Sequence, residues 1–238
     1  IDEQAATPPA DWVGWPNGRR FALVLTHNVE QERGLSRCRR LLAMETSRGF
    51  RSCFYLAPGC YNVSRLLRED LTDAGAEVGI HGLHHDERLF NSEQAFNDRA
   101  RTINWYVKKW NALGFRSAGL QCNAGLMQNL KVRYDSSSVD TDFSFTHPAS
   151  VNRIYPLWVP CETEGPNCRG YVELPVTLPD DYTLFVLLRE QNNDTWRRKL
   201  DWVAERGGLA LVLTHPDYMS FQTDAAAADE YPVRNYVS

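Results

Sequence analysis

His81 and His85 stand four residues apart in the run His81-Gly82-Leu83-His84-His85. On a helical turn that spacing sets both imidazoles on one side, able to grip a single cation. A third, oxygen ligand from another segment would leave a coordination position open. Such a site suits hydrolysis, because the metal acidifies water and polarises a carbonyl. Two hydrogen-bonded histidines near a turn share the same pattern, so the pair is weak evidence alone. Clustering strengthens it. Five of the six histidines fall in three segments, Thr26-His27-Asn28-Val29-Glu30, the run at 81–85 and His215-Pro216-Asp217. The proline after His215 forces a sharp turn, so this histidine can point into a cleft as a general acid near neutral pH. The alternative is a histidine hydrogen-bonded within the fold. Arg116 could pair with a carboxylate in the cleft and orient it, or form an ordinary rim salt bridge.

These segments need elements that bring them together. Short apolar runs at 21–26, 52–56, 77–82, 115–120, 132–138, 171–174, 184–188 and 209–214 read as strands. Amphipathic stretches at 34–48, 64–74, 92–113 and 194–206 read as helices, with Ser92 an N-cap and Gly49, Gly75 and Gly114 as stops. Repeated βα units imply parallel strands covered by helices. The polar segments, with Arg116 and Asp135, follow the strands, and in a parallel α/β fold those ends share one face where active sites assemble. An open doubly wound sheet and a closed barrel both satisfy this pattern. With no fixed-period repeat, low-complexity tract or long linker, the 238 residues read as one domain.

Composition narrows the function classes. The net charge is −4, with no basic stripe to neutralise phosphates, which argues against nucleic acid as a partner. The Arg37, Arg39 and Arg40 run reads as a solvated helix face. No apolar run approaches the roughly 20 residues of a membrane span. Residues 1–10 lack the basic and apolar pattern of a signal peptide, which suits a trimmed or mature form, and the last residues read like the start of a further element. The cysteines, Cys38, Cys53, Cys60, Cys122, Cys161 and Cys168, form no Cys-x-x-Cys pair, so a structural zinc site is not expected. Cys161 and Cys168 flank a Gly-Pro loop that they could close in an oxidising compartment; free thiols are the alternative and favour the cytoplasm.

The order of motifs resembles the polysaccharide deacetylase (NodB-homology) domain, carbohydrate esterase family 4, over about residues 21–219. The first motif of the branch nearest this chain, Thr-His-Asp-Val-Asp/Glu, is matched by Thr26-His27-Asn28-Val29-Glu30. The His-x-x-x-His motif is matched by His81 and His85, and the Arg motif by Arg116, with Ala118 where proline is usual. Tyr134-Asp135-Ser136-Ser137 resembles the strand that follows. The last motif is matched by Leu213-Thr214-His215-Pro216-Asp217-Tyr218.

The resemblance implies an α/β fold, a distorted (β/α)7 barrel. It implies a divalent metal, zinc first with cobalt or nickel as alternatives, held by Glu30, His81 and His85. It implies an acetylated sugar or polysaccharide substrate, losing its N-acetyl group with His215 protonating the departing amine. A carboxylate should fix the tautomer of His215, and Asp135 is the candidate; His84 should face away. Such a substrate is also compatible with the cell envelope.

Asn28 stands where the family has its Asp base, and an amide accepts no proton. The residue was introduced to stop turnover, or another base serves, or the chain is inactive. Two further readings stay open. One is a metal-independent C–N hydrolase of the same fold, since relatives act on cyclic amides such as allantoin. The other is a non-catalytic carbohydrate-binding relic, in which Trp12, Trp15, Trp105, Trp110 or Trp158 would stack on sugars; most tryptophans, however, are core residues.

Overall fold

The computed structural model describes residues 3–140, 150–161, 169–222 and 227–237. The first half alternates β1 (Ala22–Val29), α1 (Glu32–Thr46), β2 (Ser52–Leu56), α2 (Arg65–Asp73), β3 (Glu77–His81), α3 (Glu93–Trp110) and β4 (Gly114–Arg116). The second half holds α4 (Ala124–Met127), β5 (Tyr134–Asp135), β6 (Leu157–Val159), β7 (Tyr171–Glu173), α5 (Asp194–Arg206) and β8 (Leu209–Thr214). Ser64 and Ser92 cap α2 and α3 by accepting from the backbone N–H groups of Leu67 and Ala95, which satisfies donors that the first helical turn leaves free.

The sheet runs β6-β7-β5-β4-β3-β2-β1-β8, and every pairing is parallel except that of β6 with β7. The chain after β7 bridges its two sides. Val176 donates to the Ser138 carbonyl at 2.8 Å, and Thr177 and Leu178 donate to that of Leu211 at 3.3 and 3.2 Å. The result is a distorted barrel.

Alternation along each strand decides what faces inward. On β8, Leu209, Leu211 and Leu213 join Val176 in a small apolar cluster against Ala22 and Val24. The same parity on β1 carries Thr26 and Asn28 into the barrel, where both meet Arg116. The opposite parity carries His27 and Val29 toward the helices. The main core lies there, with Leu41, Phe54, Leu56, Leu71, Ile80, Phe96 and Ile103 fully buried. Burying each such side chain contributes roughly 1.5–3 kcal/mol.

Several expected boundaries move. The segments expected at 115–120 and 132–138 shorten to β4 and β5. The apolar run 184–188, expected as a strand, instead falls in a π-helix over Tyr182–Leu187 and its C-cap, Leu188. Asp181 and Asp180 accept from the backbone N–H groups of Tyr182 and Thr183 at 2.9 Å. These local bonds wind the chain, and a short apolar run cannot by itself tell strand from buried helix. Cys161 is disulfide-bonded, so the free-thiol expectation fails for it; Cys168 lies outside the described residues. Cys38, Cys53, Cys60 and Cys122 are free. Among the described residues no helix is long and apolar enough to cross a membrane.

One polar network fastens β1 to α1. His27 is fully buried, with Nδ1 2.7 Å from the Thr214 hydroxyl and Nε2 2.9 Å from Glu45. Ser52 and Tyr236 also donate to the Glu45 carboxylate. Burial would raise the Glu45 pKa, but the His27 charge and the three donors lower it overall. A depressed folded-state pKa contributes stability that is complete above the unfolded value, near 4.5, and is lost as pH falls through the folded value. Glu45→Ala should therefore lose roughly 1–3 kcal/mol for each buried group left without a partner. Urea unfolding at neutral pH reads this loss, and the gap to the unsubstituted protein should narrow on acidification.

Candidate functional site

Glu30, His81 and His85 converge at the C-terminal ends of β1 and β3. One ligand-capable atom from each lies within 4.8 Å of the others. The histidine pair is not on a helical turn, contrary to the spacing argument. His81 is the last residue of β3, and the chain reverses at Gly82, whose φ of 56° is a left-handed conformation that favours glycine. The loop then returns His85 to face its partner, with ring centroids 5.3 Å apart. His84 is exposed, stands outside the cluster and lies against Gly59.

His81 is fully buried, and its Nδ1 lies 3.1 Å from the Arg116 carbonyl. A carbonyl only accepts, so Nδ1 carries the proton and Nε2 presents a lone pair. That Nε2 is buried with no hydrogen-bond partner. Burial brings the His81 pKa down to about 3, so the ring is neutral. Glu30 Oε1 lies 3.0 Å from His85 Nε2 and 3.4 Å from His215 Nε2, and Tyr218 donates to its other oxygen at 3.2 Å. Burial works against the Glu30 charge, but the His85 hydrogen bond and the three nearby imidazoles bring its pKa down to about 2. A neutral imidazole with a free lone pair beside an ionised carboxylate and a second imidazole is the donor set that zinc-like cations take.

His215 reaches the same cleft from the end of β8. Its carboxylate partner is Asp181, not Asp135. Asp181 accepts from His215 Nδ1 at 2.6 Å and from the His215 backbone N–H at 2.8 Å, and it also accepts from Tyr231 at 2.7 Å. Burial would lower the His215 pKa, but the Asp181 charge raises it to about 9. Asp135 fails as the partner because of strand parity. Ser136, one residue on, bonds Arg116 inside the barrel, so Asp135 points to the opposite side, where it accepts from Ser137 at 2.6 Å.

Arg116 has no solvent exposure. It donates to the Ser136 carbonyl at 2.7 Å, Ser136 Oγ at 2.6 Å, Thr26 Oγ1 at 2.8 Å and Asn28 Oδ1 at 3.2 Å, and stacks 4.3 Å from the Tyr55 ring centroid. Among the described residues no carboxylate lies in ion-pair range, so neither the cleft pairing nor the rim salt bridge holds. Ala118, at the position where proline is usual, lies in a short 3-10 turn, Ala118–Leu120.

Asp217 gained no role from the sequence, yet it positions Glu30. Its buried carboxylate accepts from the backbone N–H groups of Glu30, Gln31 and Gly34, each at 3.0 Å. It thereby caps α1 from 183 residues away. Gly34 is required because an added Cβ would lie 2.3 Å from that carboxylate. Asp181 and Asp217 were missed because such partners are set by tertiary contact; the one local hint was the place of Asp217 just after β8. Of the tryptophans considered for sugar stacking, Trp110 is buried and Trp15 donates to the Gly207 carbonyl just before β8, at the far end of the barrel. Trp12 packs edge-on against Trp15 and Tyr155, while Trp105 and Trp158 are exposed.

No protein-family model and no curated protein matches the chain. Solved structures do. One from Mycobacterium smegmatis, assigned as a polysaccharide deacetylase, is 18% identical over 88% of this chain and 82% of its own, with a TM-score of 0.67. Another so assigned, from Pseudomonas aeruginosa PAO1, is 14% identical over 85% and 80%, with a TM-score of 0.64. Puue allantoinase is 13% identical over 85% and 80%, with a TM-score of 0.60. At these identities the likeness is one of fold.

Asp217→Ala should orphan three backbone donors, each costing about 1–3 kcal/mol, and free the Glu30 turn. Thermal unfolding should show the stability loss. Zinc titration should show affinity weakened about 10–100-fold, the scale of losing a group that orients a ligand. Unchanged unfolding and zinc affinity would show that Asp217 positions nothing.

Proposed function

We propose that this chain is a divalent-metal-dependent hydrolase of the deacetylase type, removing N-acetyl groups from an amino sugar or polysaccharide, with Asn28 holding turnover down. The observation that carries the reading is the unpartnered Nε2 of His81, aimed at Glu30 and His85. Those three residues would hold the ion, zinc first, with cobalt or nickel as substitutes. When bound, such an ion supplies Lewis acidity, polarising an acetyl carbonyl and lowering the pKa of water.

The chain's own groups set the rest of the chemistry. Asp181 keeps a proton on Nδ1 of His215 and turns Nε2 to the cleft, the atom from which a proton would pass to the departing amine. Arg116 holds Asn28 by its Oδ1, fixing the side chain where a base is needed. The amide has the shape for that place without the chemistry. A carboxylate there would face the guanidinium and be held ionised.

Asn28 also favours a second reading, a non-catalytic domain that binds acetylated sugars. The fold shared with an allantoinase keeps a metal-independent C–N hydrolase as a third, which metal content separates from the first.

Asn28→Asp should raise acetate release from an acetylated chito-oligosaccharide panel by roughly 10²–10⁴-fold, the usual contribution of a positioned base. Zinc affinity should change far less. Equal and appreciable rates in both forms would show that another residue is the base. No hydrolysis in either form, with no metal bound, would favour the binding domain. In the Asn28→Asp background, His215→Ala should lower turnover by a similar factor; an unchanged rate would remove His215 from proton transfer.

A further inference from the structure

A second group of ligand-capable side chains lies outside this site. Asp135 and Glu173 sit side by side in the β5–β7 register, and their parity turns both away from the barrel interior. Cys122, in the loop after β4, completes the group, with one atom from each within 4.8 Å of the others. Both carboxylates are buried, and the thiol is half-buried. Two acids and a thiol thus share one pocket, and none has an ion-pair partner among the described residues. Burial and the Glu173 charge push the Asp135 pKa well up.

Two buried atoms at this group have no hydrogen-bond partner. Glu173 Oε1 is satisfied by the backbone N–H and hydroxyl of Ser138, yet its Oε2 is buried without a partner. Independently, the Tyr171 hydroxyl is buried without a hydrogen-bond partner. It stands beside Cys122, Asp135 and Glu173; burial first, and then those three groups, raise its pKa. Tyr171 is 2% exposed. Buried polar atoms are rarely left unmatched, and here both converge on one acidic spot.

We propose that Cys122, Asp135 and Glu173 form a second cation site, distinct from the Glu30–His81–His85 cluster, that takes a thiophilic divalent ion of the zinc class. The mixed donor set selects the ion. A thiolate ligand disfavours calcium and magnesium, which take oxygen, and suits zinc or cobalt with two carboxylate oxygens. The Tyr171 hydroxyl lies beside the three donors. Binding would release the thiol proton, since the thiolate is the ligand. The ion would pin the Cys122 loop to β5 and β7, a structural role.

The proposal does not rest on the hydrolase reading, and cobalt separates the two. A thiolate-to-cobalt charge-transfer band in the near ultraviolet reports sulfur ligation, which the Glu30–His81–His85 cluster cannot give. Titrating metal-free protein with Co2+ should produce this band in the unsubstituted chain, in His81→Ala and in Cys60→Ser, whose thiol lies beside His85. Cys122→Ser should abolish it, and Glu173→Gln should weaken the affinity read from it at least about tenfold. Circular dichroism of each variant checks folding. The proposal is overturned if the unsubstituted protein gives no band, or if the band survives Cys122→Ser or disappears with Cys60→Ser. Loss of the band in His81→Ala alone would also overturn it, assigning the sulfur to the first site.

Discussion

A positive charge sealed inside the barrel is the constraint on which the rest depends. Burying an unpaired guanidinium is costly unless hydrogen bonds replace its water. Arg116 meets that demand with neutral oxygens. The Thr26 hydroxyl donates to the Val212 carbonyl, and the Ser136 hydroxyl donates to that of Leu174. With their protons committed to neighbouring strands, both oxygens turn lone pairs to Arg116. The guanidinium thus links β1 to the chain after β5, and through those hydroxyls β8 and the chain after β7. The Arg116 carbonyl also serves the site. It accepts from the Gly82 N–H at 2.8 Å and fixes the proton of His81. One residue therefore sets the tautomer of a candidate ligand and the orientation of Asn28.

The chain's βα rhythm could be read from its residues because strand and helix periods are local properties. Ser52–Leu56, Asp194–Arg206 and Leu209–Thr214 fall where the patterning puts them. The run expected at 171–174 is β7, but β4 and β5 were expected too long and β6 was not expected, because two or three residues carry almost no period. Closure of the barrel was undecided for a related reason. It depends on where the chain after β7 makes its hydrogen bonds, and that is a tertiary choice. Seven residues were singled out for the site. The fold gathers Glu30, His81, His85 and His215 at one mouth, brings Asn28 and Arg116 together inside the barrel, and turns Asp135 to the other side of β5. The histidines were legible because they crowd strand ends. Asp181 and Asp217 were not, because a single acid has no period and its partner lies far away in sequence.

Asn28 shows how fold and chemistry place different demands on one position. To the fold it is an acceptor for Arg116, and an amide oxygen serves. To a hydrolase it would be a proton acceptor, which an amide cannot be. The same position can therefore be structurally satisfied and chemically silent.

The fasteners of the site span nearly the whole chain. Asp217 holds residues 30 to 34, Arg37 donates to the Pro216 and Asp217 carbonyls, and Tyr236 reaches back to Glu45. On the ribosome the β1–α1 turn emerges long before the residues that cap it. Until β8 is released, Glu30 has neither its backbone anchor nor His215 opposite. Contacts of such long sequence separation form late and slow folding. A nascent chain lacking its last forty residues would expose the barrel's open edge between β1 and the missing β8, an unpaired strand that invites aggregation. The mouth of the barrel is therefore completed late in folding, only once β8 has joined β1 and brought His215 and Asp217 to Glu30.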